Sequence, residues 1–336
     1  MNLERFLVTG GFFDGSSEGY IGELSLRSDG RRVELAFEPR LICEPPEPKL
    51  RVINKGFTGG SIHNDLLWLC SPNQVLGFSL SDFQLVRVVD NPAFNDLHHV
   101  LAEDSGLTVV NTGLESVDEL DFEGNLRRRR LLTSDARTRA RMSRSAEFRT
   151  WNSHPHLMHP SHCARRDDGA LLLTLVRQRR IVCSDGRDDD WGWGSPEFPG
   201  PPHDGFLARH APSGRMCLWV TTVPGEVTAC DPYDGQPIER WSLATRGAAH
   251  GWTRGLCVLE HGLLVGSTRI RASSADYFAQ WNPTSADASR SAISYLPFDG
   301  ERPSVSVNVL HDRSAKVFSI LSWPVLDSQL SLRGNS

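Results

Sequence analysis

Three histidines and one arginine stand at similar distances before apolar stretches of the chain. His98, His162 and Arg254 each precede the first residue of such a stretch by nine positions. His203 takes the same place if segment 209–214 is a short insertion. The aligned set consists of His98, His162, His203, Arg254 and Asn308, with Phe57 or Thr58 in the remaining position. This spacing predicts that the set occupies equivalent positions in a repeated structure.

These residue types allow two kinds of chemistry if they face one another. Three imidazoles can ligate a divalent metal such as Zn, Fe, Mn or Ca and leave positions open for water or substrate. Alternatively, His98, His162 and His203 can act as general acids and bases, while Arg254 holds an anionic group. Asp204 and Asn308 are further candidates for substrate contacts. A ring of structural histidines that tightens packing is the third interpretation.

The elements that must position this set are short apolar runs. Each run has four to seven residues, is rich in Val, Leu and Thr, and is bounded by turn-forming residues, which is typical of strands. The runs are 5–9 (RFLVT), 65–70 (DLLWLC), 107–111 (LTVVN), 171–176 (LLLTLV), 217–222 (CLWVTT), 263–266 (LLVG) and 316–322 (KVFSILS). No segment keeps a helical apolar period over three turns, so we expect an all-β protein.

The period of the repeat predicts a β-propeller. Four-strand units that recur every 35 to 60 residues are typical of that architecture. We expect one domain over residues 1–336 with six blades, closed by pairing of the N-terminal and C-terminal strands; seven blades is the alternative. The first strand of each blade lines the central channel, which would bring the aligned residues together. Whether His98 or His99 faces the channel stays open, because a one-residue slip exchanges them.

Two insertions interrupt the repeat, near residues 131–158 and 184–202. The second contains Trp191 and Trp193, an unusually apolar pair for a surface loop, which makes both candidates for substrate binding. The first contains His154, His156 and His159, which lack helical ligand spacing and could cover the channel mouth or face solvent. The alternative is a pair of surface loops without a role.

Composition excludes several classes of protein. The net charge is −5, and such a balance argues against binding to nucleic acid or to an anionic membrane. Seven cysteines without a C-x-x-C pair indicate reduced thiols, and no apolar run has membrane-spanning length. We therefore expect a soluble, cytoplasmic protein. No glycine-rich phosphate-binding motif is present, and no nucleotide cofactor is expected.

Three segments resemble an uncharacterised bacterial β-propeller family of the DUF4915 type and, more loosely, six-bladed propellers of the gluconolactonase and NHL type. The segments are 96–100 (DLHHV), 202–205 (PHDG) and 252–256 (WTRGL). The family has H-D in the first, P-H-S-P in the second and F-T-R-G-L in the third. His99 replaces the Asp, and Asp204 with Gly205 replaces Ser-Pro. The resemblance implies the fold and the register of the repeat, and implies no activity.

The sequence therefore predicts an enzyme acting on a small molecule, of lyase, isomerase or hydrolase type, with its site at one mouth of the channel. The alternative is a non-catalytic propeller that binds a peptide, glycan or protein partner on the same face. The oligomeric state stays open.

Overall fold

The computed structural model describes residues 2–29, 32–132, 147–153, 156–184, 191–192, 194–211, 213–280, 287–300 and 302–323. Antiparallel strands dominate these ranges, with one short helix, α1 (Ala275–Ala279), and four 3-10 turns (Pro48–Leu50, Thr112–Leu114, Ala272–Ser274 and His311–Arg313). No helix in these ranges is long and apolar enough to cross a membrane. None of the seven cysteines forms a disulfide.

The strands fall into six sheets, each of which is one blade. In chain order, the first eleven strands are β1 (Asn2–Phe12), β2 (Gly19–Ser28), β3 (Val33–Cys43), β4 (Gly60–His63), β5 (Leu66–Cys70), β6 (Val75–Ser79), β7 (Leu85–Val89), β8 (Leu97–Glu103), β9 (Gly106–Asn111), β10 (Ser116–Leu120) and β11 (Leu126–Leu131). The remaining strands are β12 (Pro160–Arg165), β13 (Leu171–Leu175), β14 (Arg180–Ser184), β15 (Phe206–His210), β16 (Arg215–Thr222), β17 (Glu226–Cys230), β18 (Pro237–Ser242), β19 (Trp252–Val258), β20 (Gly262–Thr268), β21 (Ala292–Pro297), β22 (Val305–Asn308) and β23 (Ala315–Ser322).

The blades follow one another along the chain. Blade 1 has the order β23-β1-β2-β3, and the next two are β4 to β7 and β8 to β11. Blade 4 contains β12 to β14 among the described residues, and β15 to β18 and β19 to β22 form blades 5 and 6. The predicted six-bladed propeller is confirmed.

Blade 1 closes the ring. Strand β23 pairs with β1 from Phe6↔Ser322 to Phe12↔Ala315, so the two ends of the chain lie in one sheet, as predicted. This pairing also explains why seven apolar runs form six blades, because the first and last runs are neighbouring strands of blade 1. Gly10 makes the pairing possible, since a Cβ atom there would lie 1.7 Å from the Lys316 carbonyl oxygen.

The core lies between adjacent blades. One cluster joins Trp219 and Trp241 of blade 5 to Leu256 and Leu263 of blade 6, and all four are buried. The second strands β9 and β13 are buried along their whole length, because a blade packs on each face. Two-sided burial explains why these strands are continuous apolar runs in the sequence. The packing fixes the six first strands around the channel.

Candidate functional site

Two cavities lie along the central channel. The entrance cavity, of about 370 Å³, lies where the first strands begin and receives a residue from every blade: Lys316, Lys55, His98, His159, His203 and Arg254. The channel cavity, of about 330 Å³, lies further along the same strands and is lined by Ile320, Ser61, His99, His162, Asp204 and Leu256, again one from each blade. Phe318 lines both cavities.

The structure divides the predicted histidines between these cavities. His98 and His203 line the entrance cavity, whereas His162 lines the channel cavity with His99. Both His98 and His99 therefore reach the channel, at successive levels.

The predicted common register of His98 and His162 is wrong. In the ladders, His99 pairs with Val110 and His162 pairs with Thr174, and each follows a one-residue bulge near the start of its strand. The bulge residue is His98 in one strand and Ser161 in the other. The spacing of nine residues was counted from the first strand to the apolar run of the second strand, so it includes the hairpin turn. The β12–β13 turn is longer than the β8–β9 turn. The alignment by spacing is therefore wrong by one residue, and His162 is equivalent to His99.

The His98 ring is oriented by a hydrogen bond to the backbone just before its own strand, β8. Its Nδ1 lies 2.9 Å from the carbonyl oxygen of Asp96, so Nδ1 carries the proton and donates it. The ring is 8 % exposed, and burial lowers its pKa to about 3 against the opposing effect of the Asp96 charge. His98 is therefore a neutral imidazole at physiological pH. Its Nε2 has no hydrogen-bond partner among the described residues.

His203 is oriented by a carboxylate. Its Nδ1 lies 3.3 Å from Asp204 Oδ1, and both side chains are buried. The other carboxylate oxygen accepts hydrogen bonds from Thr221 Oγ1 at 2.8 Å and from the Gly255 backbone N–H at 2.7 Å. Burial opposes ionisation of Asp204, but the hydrogen bonds from His203 and Thr221 keep its pKa below the usual value. A fixed carboxylate on Nδ1 leaves Nε2 of His203 for the cavity.

Two histidines that the sequence analysis ranked lower lie at the entrance: His159 lines the cavity, and His156 contacts His159. The His159 ring meets the His98 ring edge to face, with 4.9 Å between centroids. His156 Nδ1 lies 2.9 Å from His159 Nδ1, and its Nε2 lies 3.0 Å from Ser153 Oγ. Their position just before the first strand of blade 4 was the available signal. His154 lies outside the described residues.

Cationic groups form the opposite wall of the entrance cavity. The Arg254 guanidinium lies over the Phe318 ring, with 3.8 Å from Cζ to the centroid. Lys316 is 2 % exposed and donates hydrogen bonds to the carbonyl oxygens of Asn54 at 2.6 Å and Lys55 at 2.7 Å. Lys55 itself pairs with Asp96 at 2.8 Å.

The channel cavity has a different character. The rings of His99 and His162 pack against each other at an interplanar angle of 32°, with 3.8 Å between centroids. Cys163 Sγ lies 3.5 Å from His99 Nδ1, and burial raises the pKa of this thiol to about 12, so the thiol donates to the imidazole. Burial also lowers the pKa of His162 to about 4.

Of the predicted substrate-binding residues, Asn308 and Trp191 lie outside the two cavities, and Trp193 lies outside the described residues. Asn308 ends β22, the outermost strand of blade 6, where its side chain is exposed; the spacing had assigned it to a first strand of the following blade. Trp191 packs against the core cluster that contains Val110 and Leu173. Asp204 lines the channel cavity, and its role in substrate binding stays a prediction.

Within the described ranges, no group of three or more His, Cys, Asp or Glu side chains is placed to hold a metal ion. The metal-binding role of His98, His162 and His203 stays a prediction.

Comparisons with known proteins support the fold. No family model and no curated protein matches the sequence, so the resemblance to the DUF4915-type family stays a prediction. A protein of unknown function from Bacteroides caccae matches with a TM-score of 0.57, 10 % identity and coverage of 95 % of this chain and 98 % of that one. A chain of a nidogen–laminin complex matches with a TM-score of 0.56 and 11 % identity, over 95 % of this chain and 98 % of that one.

The WD40 domain of Neurospora crassa Pan2 matches with a TM-score of 0.50 and 11 % identity, over 79 % of this chain and 68 % of that one. Similarity at these identities defines the architecture alone. The chain is a six-bladed β-propeller with a histidine-lined and cationic cavity at one end of its channel.

Proposed function

We propose that this protein is an enzyme that acts on a small molecule in the entrance cavity, with His98 and His203 as the acid–base pair. The observation that carries the proposal is the common orientation of these two rings. Each imidazole engages an oxygen through Nδ1, at 2.9 Å for His98 and 3.3 Å for His203. This arrangement leaves Nε2 of each ring as the nitrogen that can exchange a proton with a ligand.

The surroundings of the pair fit acid–base work. His98 of blade 3 and His203 of blade 5 lie near the starts of first strands two blades apart. Both line one cavity of about 370 Å³, a volume suited to a small ligand. The Asp204 carboxylate is anchored by Thr221 and Gly255, so it can hold His203 in one orientation during proton transfer. Lyase, isomerase and hydrolase reactions all require such a transfer. Arg254 lines the same cavity and would bind an anionic part of the substrate.

The test is a turnover screen with lactones, phosphate esters and hydroxy acids, followed by kinetics of His98→Asn and His203→Asn. We expect each substitution to lower kcat about 100-fold, the usual contribution of one general acid or base. His261→Asn is the matched control, because His261 is largely exposed in the β19–β20 hairpin. Its kcat should equal that of the wild type.

Asp204→Asn should reduce kcat with little change in KM and should alter the pH profile of kcat, because the carboxylate positions His203. Turnover that survives in both histidine variants would contradict the proposal. A screen without any turnover would favour the non-catalytic binding propeller instead.

A further inference from the structure

The entrance cavity has a one-sided charge distribution. Five basic side chains line it, namely Lys55, Arg254, Arg269, Arg271 and Lys316. No Asp or Glu is among its described lining residues. Lys55 is neutralised by its ion pair with Asp96. The charges that remain are those of the three arginines and Lys316.

Arg254 is the more informative of the two buried cations. Arg254 is only 8 % exposed. Its Nε has no hydrogen-bond partner among the described residues. Asp204 is the carboxylate whose charge acts on Arg254. Its oxygens, however, already bind His203, Thr221 and the Gly255 backbone N–H. A buried guanidinium without a bound carboxylate is costly unless a ligand supplies the negative charge.

Lys316 presents a second cation to the same space. Two of its ammonium hydrogens go to the carbonyl oxygens of Asn54 and Lys55, which leaves the third for the cavity. Burial and the neighbouring Arg254 charge lower the pKa of Lys316 well below its usual value. An anion between the two groups would relieve both effects, because it would be attracted to both cations.

The geometry of Arg254 also suits an oxyanion. Its Cζ lies 3.8 Å from the centroid of the Phe318 ring, and this cation–π contact restrains the position of the group. A fixed planar guanidinium offers parallel N–H donors to two oxygens of a carboxylate or phosphate. Arg269 and Arg271 are exposed at the rim, where their charges would attract an anion toward the opening.

We propose that the entrance cavity is an anion-binding site in which Arg254 and Lys316 together hold the carboxylate or phosphate group of a small ligand. The inference rests on the proposed function for its claim that this ligand is the substrate. The binding site itself follows from the two buried cations.

The test is isothermal titration calorimetry of the wild type with inorganic phosphate, with malonate, and with choline as a cation of comparable size. We expect saturable binding of one of the two anions at one site per chain and no binding of choline. Arg254→Gln and Lys316→Met should each weaken the anion at least tenfold, as expected for loss of a charged hydrogen-bond partner. Phosphate and malonate distinguish the two kinds of oxyanion.

Matched controls are Arg215→Gln and Lys49→Met, whose side chains are exposed outside the entrance cavity. They should bind as the wild type does. If a buried variant fails to fold, Arg271→Gln at the exposed rim replaces it in the test. This variant should weaken anion binding severalfold. Absence of saturable binding for both anions, or unchanged binding in the cavity variants, would overturn the inference.

The two proposals can fail separately. Anion binding that depends on Arg254, combined with turnover that ignores His98 and His203, would refute only the acid–base function. Loss of turnover in the histidine variants without any anion binding would refute only the anion site.

Discussion

At the scale of single residues, the channel is defined by imidazoles that differ in what their nitrogens contact. His98 and His203 engage oxygens through Nδ1 in the entrance cavity, whereas His99 accepts from Cys163 in the channel cavity. Type and spacing of residues can nominate a histidine for the channel. They cannot tell which ring nitrogen is engaged, because that depends on neighbours from other blades.

Buried neutral histidines make the stability of the fold depend on pH. Burial lowers the pKa of His98 to about 3 and the pKa of His99 well below its usual value, while both titrate near 6.5 in the unfolded chain. The unfolded state therefore binds more protons below pH 6.5, and stability falls as the pH is lowered. At pH 5 the His98 ring alone should cost about 2 kcal/mol, and the His99 ring acts in the same direction.

Urea unfolding at pH 7.5 and pH 5.0 measures this cost. His99→Gln should lose less stability than the wild type between the two pH values, because it lacks one group whose pKa burial lowers. His261→Gln, which replaces an exposed ring, should show the wild-type loss. Equal losses in His99→Gln and wild type would contradict the assignment of a neutral His99.

At the scale of elements, apolar runs and turn residues were enough to predict strands, blades and ring closure. These features are local or repeat along the chain. Burial on both faces of a blade makes the second strands continuous apolar runs, which are easy to recognise in the sequence. The register of the first strands was not predictable in the same way. Both β8 and β12 carry a one-residue bulge, at His98 and at Ser161, but their hairpins differ in length, so equal spacing along the chain does not give equal register.

The closing strand pair depends on the absence of a side chain at Gly10. A Cβ atom there would lie 1.7 Å from the Lys316 carbonyl oxygen and 2.8 Å from a Tyr20 ring carbon, so β1 and β23 would have to separate. Gly10→Ala should destabilise the protein by about 3 kcal/mol or more, since the overlap is with backbone. It should also displace Lys316 from the entrance cavity.

Chemical unfolding of Gly10→Ala beside Gly194→Ala measures this effect. A Cβ atom at Gly194 would meet nothing closer than 3.7 Å, so this control should stay within about 0.5 kcal/mol of the wild type. Equal stability of the two variants would show that the β1–β23 pairing tolerates a wider spacing.

At the scale of the whole molecule, six first strands bring residues from distant parts of the chain to two levels of one channel. The entrance level combines histidines with buried cations, and the channel level combines two closely packed histidines with apolar side chains. Long-range convergence of this kind follows from the repeat. The placement of His98 and His162 at different levels follows from first hairpins of unequal length, which only the strand pairing reveals.

The most direct test of a functional entrance cavity is the response of the histidine ring nitrogens to an anion. Long-range ¹H–¹⁵N spectra of the histidine-labelled protein would be recorded without an anion, with inorganic phosphate and with malonate. We expect the Nε2 resonances of His98 and His203 to move with saturable dependence on one of the two anions, while those of His99 and His162 stay in place. An equal response of all four rings, or no response at His98 and His203, would contradict the account.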